Sequence, residues 1–265
     1  MILSGITKFV PFTILFCILS TSVLGQTPAR TIHVFVALCD NENQGIVPVP
    51  SRLGNGEDLK NNLYWGALYG VRTSFERSDD WELISVVQNP RDAVLERCIF
   101  KHKTNSIYLV ADAYKGIEIK QTVVDFLQSA SGNNQEVISV EVNTQKITLG
   151  IGGSANLVAY VGHNGLMDFQ LDTCPKKAND NRRDAIVLAC FSKSYFSIPL
   201  READANPILW TTGLMAPEAY TLKSAIDGWI LNESEEEIRR RAAKAYHKYQ
   251  KCGLNAARNL LVTGW

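Results

Sequence analysis
The feature that most constrains this chain is a series of short runs that are apolar at almost every position. Thr31–Leu38 (TIHVFVAL), Ser106–Ala111 (SIYLVA), Leu157–Val161 and Ala185–Ala189 have the composition of strands covered on both faces. Ile208–Thr211 is a shorter run of the same kind, and Trp81–Val87 reads as a further strand. Between them lie segments of helical period. Asn61–Glu76 spaces Leu63, Ala67, Val71 and Phe75 along one helix face, and Gly116–Ser129 does the same with Ile119, Val123, Phe126 and Leu127. Arg91–Phe100 reads as a short helix, and Pro217 sits in the first turn of a helix running to Ile230. Ser234 and Glu237 form a capping box for a last long helix, with Ile238, Ala242, Ala245 and Tyr249 as its buried stripe and Gly253 as its terminator. Glu136–Leu149 alternates and predicts one or two partly exposed strands, as in a hairpin. Strands alternating with helices predict one α/β domain with a mostly parallel sheet and helices on both faces.

The first residues belong to a different class of segment. Lys8 is followed by an apolar run, Phe9–Leu19, then by small residues with Val23 and Gly25 at the −3 and −1 positions of a cleavage site. Residues 1–25 therefore read as an export signal and residues 26–265 as the mature α/β domain, beginning at Gln26. The apolar run is shorter than the roughly 20 residues a membrane-spanning helix needs, and no later segment is long enough to span. The expected location is the periplasm or the exterior of the cell, with no membrane association after the signal is removed. The whole chain carries 27 basic and 27 acidic side chains, so loss of Lys8 leaves one acid in excess. Nothing there favours phosphate neutralisation, and nucleic acid is excluded as a partner.

Five cysteines remain after cleavage: Cys39, Cys98, Cys174, Cys190 and Cys252. Export permits disulfides, yet an odd number leaves at least one thiol unpaired. No pair has CxxC spacing and no His/Cys cluster has zinc-ligand spacing, so neither a metal nor a cofactor is expected. GIGGSAN (150–156) precedes a strand instead of joining a strand to a helix. It reads as a hairpin turn, not a phosphate-binding loop, and no GxSxG elbow occurs. Asp40, Glu42 and Asp112 are carboxylates near strand ends, open to reading as a cation site or as solvated loop residues. The polar stretch Asp40–Lys60 is long enough for a functional loop.

In parallel sheets, ligands bind beyond the carboxyl ends of the strands. VAYVGHNG ends one strand at His163, and AIVLACFS ends the next at Cys190; if those strands are neighbours, both side chains lie on one edge. A free thiol titrates at about 8.5, so a histidine beside it can draw off its proton and later protonate a leaving group. The backbone amides of Gly165 and Cys190 are candidate oxyanion donors. The other histidines suit this less well. His33 lies at the amino end of its strand, His102 in a basic turn, and His247 on a charged, solvated helix.

A hydrophobic strand ending in His and Gly, followed by one ending in Ala189-Cys190, resembles the caspase-like (clan CD) cysteine peptidases, which include the caspases, legumain, gingipains and clostripain. That resemblance implies a caspase-like α/β/α sandwich and hydrolysis of peptide bonds in a peptide or protein substrate by a His163/Cys190 dyad. This chain departs from the pattern in placing Asn164 between His163 and Gly165, which alters the turn carrying the oxyanion role of Gly165. Asp40 and Asp168 are open to two readings, selection of a basic substrate side chain or ordinary turn aspartates. Two alternatives to a peptidase are a non-catalytic binding module, marked by Cys190 in a disulfide or His163 aimed into the core, and another thiol enzyme such as an acyltransferase or amidase.

Overall fold
The computed structural model describes residues 29–265; the expected export signal over residues 1–25, and Gln26 as the mature terminus, lie outside the described residues. The chain runs through β1 (Arg30–Ala37), α1 (Val71–Glu76), β2 (Trp81–Arg91), β3 (Val94–His102), β4 (Ile107–Tyr114), α2 (Ile119–Ala130), β5 (Gln135–Val142) and β6 (Gln145–Gly152). It continues through β7 (Leu157–Val161), β8 (Asp184–Leu188), α3 (Ser192–Glu202), β9 (Asn206–Thr211), α4 (Ala219–Ile230), α5 (Glu235–Gln250), α6 (Leu254–Leu260) and β10 (Leu261–Val262).

Eight strands form one sheet in the order β10-β9-β8-β7-β1-β4-β3-β2. The middle five, β9-β8-β7-β1-β4, are parallel, while β3 and β2 at one edge and β10 at the other pair antiparallel. The mixed α/β class with a mostly parallel central sheet follows from the apolar runs, because strands roofed on both sides have no wet face on which to place polar residues. Along β1, Ile32, Val34 and Val36 join the core formed with Phe75 of α1, Ile226 of α4 and Ile238 of α5. Phe35 and Ala37 of the same strand join the opposite core, with Phe126 of α2 and Phe196 of α3. Helices thus cover both faces.

The remaining sheet is the β5–β6 hairpin. Asn143 and Thr144 at its tip both have positive φ, 49° and 64°, as a tight two-residue hairpin requires. Its Val140, Leu149 and Ile151 pack on Ile99, Tyr108 and Val110 of the main sheet.

Several local expectations are corrected. Arg91–Phe100 is no helix; most of it lies in β3, between β2 and β4. Within this strand Glu96 and Arg97 are both buried with partners. Glu96 accepts from Arg72, Trp65 and Gln88, and Arg97 donates to Asp112 and Glu136. Of Asn61–Glu76 only Val71–Glu76 is helical. Before it, the buried Asn62 amide bonds the backbone of Cys39, Asn55 and Tyr64, a side-chain competition that favours turns over helix. GIGGSAN is no hairpin tip: Gly150–Gly152 end β6, paired with β5, and Gly153–Asn156 lead into β7. Pro217 precedes the first turn of α4, whose N-cap is Glu218. The capping box on α5 is present, but the helix buries Ile238, Ala242, Ala243 and Tyr246, and Lys251 in left-handed conformation ends it ahead of Gly253.

Candidate active site
Strands β7 and β8 are hydrogen-bonded parallel neighbours with Val161 opposite Leu188. His163 and Cys190 each follow two residues beyond this last pair, so the sheet carries both to its carboxyl edge. They line one cavity of about 320 Å³. Gly162, which turns the chain out of β7, has φ +152°, and a Cβ on it would lie 2.9 Å from the Ala37 carbonyl oxygen. Only glycine fits this close approach to β1.

His163 is buried, and its Nε2 lies 2.8 Å from Oδ2 of Asp168. A short 3-10 turn, Gly165–Met167, carries Asp168 back to the histidine. The same carboxylate oxygen accepts the Gly45 N–H at 3.0 Å. An ionised carboxylate only accepts, so Asp168 selects the tautomer with the proton on Nε2 and leaves the Nδ1 lone pair free. The hydroxyl of Tyr160 donates to the His163 carbonyl at 2.7 Å, fixing the backbone as well as the ring.

Cys190 is held from both sides. The Asn164 amide, fully buried, donates to the Cys190 carbonyl at 2.7 Å and its Oδ1 accepts the Leu166 N–H. Thr211 at the end of β9 donates to the Ala189 carbonyl and exchanges hydrogen bonds with Ser192, the first residue of α3. Phe191 between them has a left-handed φ of 51°, a conformation that costs an L-residue roughly 1–2 kcal/mol. This tight turn sets Cys190 at the mouth of α3. Its Sγ lies 3.4 Å from the Met215 amide, on the loop that follows β9.

The five cysteines of the described residues all carry free thiols. Cys39 and Cys98 are buried in the core, where loss of hydration raises their pKa, that of Cys39 to about 11. Such thiols are poor nucleophiles. Cys190, by contrast, is partly exposed in the cavity.

The other predicted positions fall elsewhere. Gly165 is buried, with the Phe169 ring and Ile119 against its Cα, and does not line the cavity. Asp40 is closed on its own turn: Oδ1 accepts from the Glu42 and Asn43 amides and Oδ2 from the Asn43 side chain. Asp40 and Glu42 line a separate polar cavity, whereas Asp112 lies in the buried ion-pair network with Arg97 and His33. The structure does not bring these three carboxylates together, and the described residues hold no His/Cys/Asp/Glu group suited to a metal ion. His247 is half-buried and accepts the Gly253 N–H at 3.0 Å as part of a helix cap, not a solvated side chain. No helix among the described residues is long and apolar enough to cross a membrane.

Asp168 as a partner of His163 and Asn164 as a latch on Cys190 were not foreseen. The five-residue spacing from His163 to Asp168 is the one sequence signal for the first, and it has meaning only once the 3-10 turn is known. Comparison of the chain with protein-family models, with curated proteins and with solved structures finds no match.

Proposed function
We propose that the chain is an exported cysteine peptidase of caspase-like architecture, with Cys190 as nucleophile and His163 as proton carrier. The observation that carries this reading is the convergence of both side chains on one cavity from adjacent parallel strand ends. Asp168 adds a third member that orients the imidazole, as the base of a nucleophilic dyad requires.

In the proposed cycle, Nδ1 of His163 takes the Sγ proton and the thiolate pair forms a bond to the peptide carbonyl carbon, whose π pair moves to oxygen. The oxyanion meets the backbone amide of Cys190; Gly165, buried outside the cavity, is not placed to supply the second donor that the sequence suggests. Collapse of the tetrahedral species breaks the C–N bond, and the departing nitrogen takes the proton from His163. This releases an amine and leaves a thioester on Cys190. Water then gives a proton to His163 and its lone pair to the thioester carbon. The S–C bond breaks, a carboxylic acid leaves, and His163 returns the proton to sulfur.

A non-catalytic module is less well supported, since Cys190 is unpaired and His163 lines a cavity. The test is labelling of the mature protein, residues 26–265, with a thiol-reactive peptide probe, read by intact mass and peptide mapping. Cys190→Ala is expected to abolish labelling at this site, and His163→Ala to slow it about 10²-fold or more. Equal labelling rates in wild type and His163→Ala, or a probe adduct confined to Cys174 or Cys252, would sink the dyad.

A further inference from the structure
We infer that the cavity beside Cys190 accepts an uncharged, apolar side chain, of the leucine, methionine or phenylalanine kind, on the acyl side of the bond that is cut. The inference rests on the cysteine-peptidase reading and names the substrate class for that site.

Three separate loops bring apolar groups to the cavity. Ile46 and Val47 come from the loop after β1, Met167 from the turn after β7, and Leu214, Met215 and Pro217 from the loop after β9. Single exposed apolar side chains are ordinary. Here Val47, Leu214 and Met167 are 88%, 71% and 41% exposed and converge on one concavity, which marks a binding surface. The two methionines have flexible, polarizable side chains that adapt to varied apolar partners. At roughly 30 Å³ per water, the 320 Å³ of the cavity holds about ten waters, space for one large aliphatic or aromatic side chain.

What the cavity lacks is equally informative. Apart from His163 and Cys190, the titratable group in its lining is the buried Tyr64 phenol. The aspartates that were candidates to pair with a basic side chain are both occupied: Asp168 by His163 and Gly45, and Asp40 by its own turn. Nor does an arginine or lysine line the cavity to meet an acidic side chain. A charged group entering it would shed water without gaining a partner, and that desolvation disfavours it strongly.

The experiment uses acyloxymethyl ketone probes that differ only in the residue next to the ketone: leucine, phenylalanine, alanine, lysine or aspartate. The Cys190 thiolate attacks the methylene carbon, a C–S bond forms, and the carboxylate leaves with its electron pair. Labelling of Cys190 by the leucine or phenylalanine probe is expected to run at least tenfold faster than by the lysine or aspartate probe. The alanine probe should fall about tenfold or more behind leucine, as missing methylenes in an apolar pocket do. Leu214→Asp, a change at an exposed rim position, should raise the lysine rate relative to leucine about tenfold. Cys190 labelling that is fastest with lysine or aspartate would overturn the apolar pocket and leave the peptidase standing. Absence of Cys190 labelling by all five probes would overturn the peptidase reading, and the pocket assignment with it.

Discussion

The side-chain amide of Asn164 donates to the carbonyl of Cys190 across 2.7 Å, joining two strand-end turns that are 26 residues apart in the chain. Its own oxygen accepts the Leu166 N–H, so one buried side chain sets the path after His163 and the position of Cys190 together. The residue that breaks the His-Gly pattern in the sequence is therefore a structural tie.

Asn164→Asp should be the more harmful replacement at this position. It puts a carboxylate against the Cys190 carbonyl where a donor is needed, while Asn164→Ala merely leaves both groups unpaired. Loss of a buried hydrogen bond of this type costs about 1–3 kcal/mol. Urea denaturation should show a loss of that size for Asn164→Ala and a larger one for Asn164→Asp. Cys190 labelling should slow about tenfold or more in both, and unchanged labelling would show that the tie does not position the thiol.

Asp168→Asn separates chemistry from folding. Asp168 is about a third exposed, so its replacement should change stability by less than about 1 kcal/mol. The amide can donate to His163 and favour the wrong tautomer, which in comparable dyads lowers rates by up to about 10⁴-fold. The measurement is the Cys190 labelling rate against pH beside a urea midpoint. A variant as fast as wild type would remove Asp168 from the machinery.

Gly45→Ala tests the loop after β1. An added Cβ would stand 2.4 Å from Oδ1 of Asp168, so either the carboxylate or the loop must move. The expected result is a labelling rate at least tenfold lower with little change in the unfolding midpoint, because Gly45 is exposed. An unaffected rate would mean that the loop yields and the Asp168–His163 contact survives.

Acid stability should depend on a pair far from the cavity. The His33 ring accepts the Gly152 N–H at Nδ1, so its proton is on Nε2, donated to Asp112. Burial lowers the His33 pKa, although Asp112 opposes the shift. Burial would raise that of Asp112, but the Arg97 and His33 hydrogen bonds outweigh it and hold the carboxyl well below its usual range. Both folded values are thus below the unfolded ones, about 6.5 and 3.9. Each group contributes stability that is complete above its unfolded value and is lost as pH falls toward its folded value. Urea midpoints should decline from about pH 6.5 downward, and again below about pH 4, at up to about 1.4 kcal/mol per pH unit for each proton involved. His33→Gln should flatten the first decline. An unchanged slope between pH 6.5 and 4.5 in that variant would assign the decline to other groups.

The core of the fold was legible because β1, β4, β7, β8 and β9 announce themselves as runs with no polar face. The positions of His163 and Cys190 were legible for the same reason: a strand's end is visible where its apolar run stops. Helix α3 was not. It starts from a left-handed Phe191, has no side-chain cap and contains Pro199, so the usual markers of a helix start are missing. Strand β3 was misread because buried ion pairs let Glu96 and Arg97 occupy interior positions that a sequence pattern assigns to solvent.

By itself the amino-acid sequence determined the layered α/β class and the placement of a histidine and a thiol at the ends of successive strands, since burial of apolar strands depends on local composition. Only the tertiary structure decided what those two side chains meet. The Asp168–His163 contact, the Asn164 latch and the loops around the cavity depend on turn geometry and on segments brought together from distant parts of the chain. Hydrogen bonds of this kind act over about 3 Å, a scale at which periodicity and spacing carry no information until the backbone path is known.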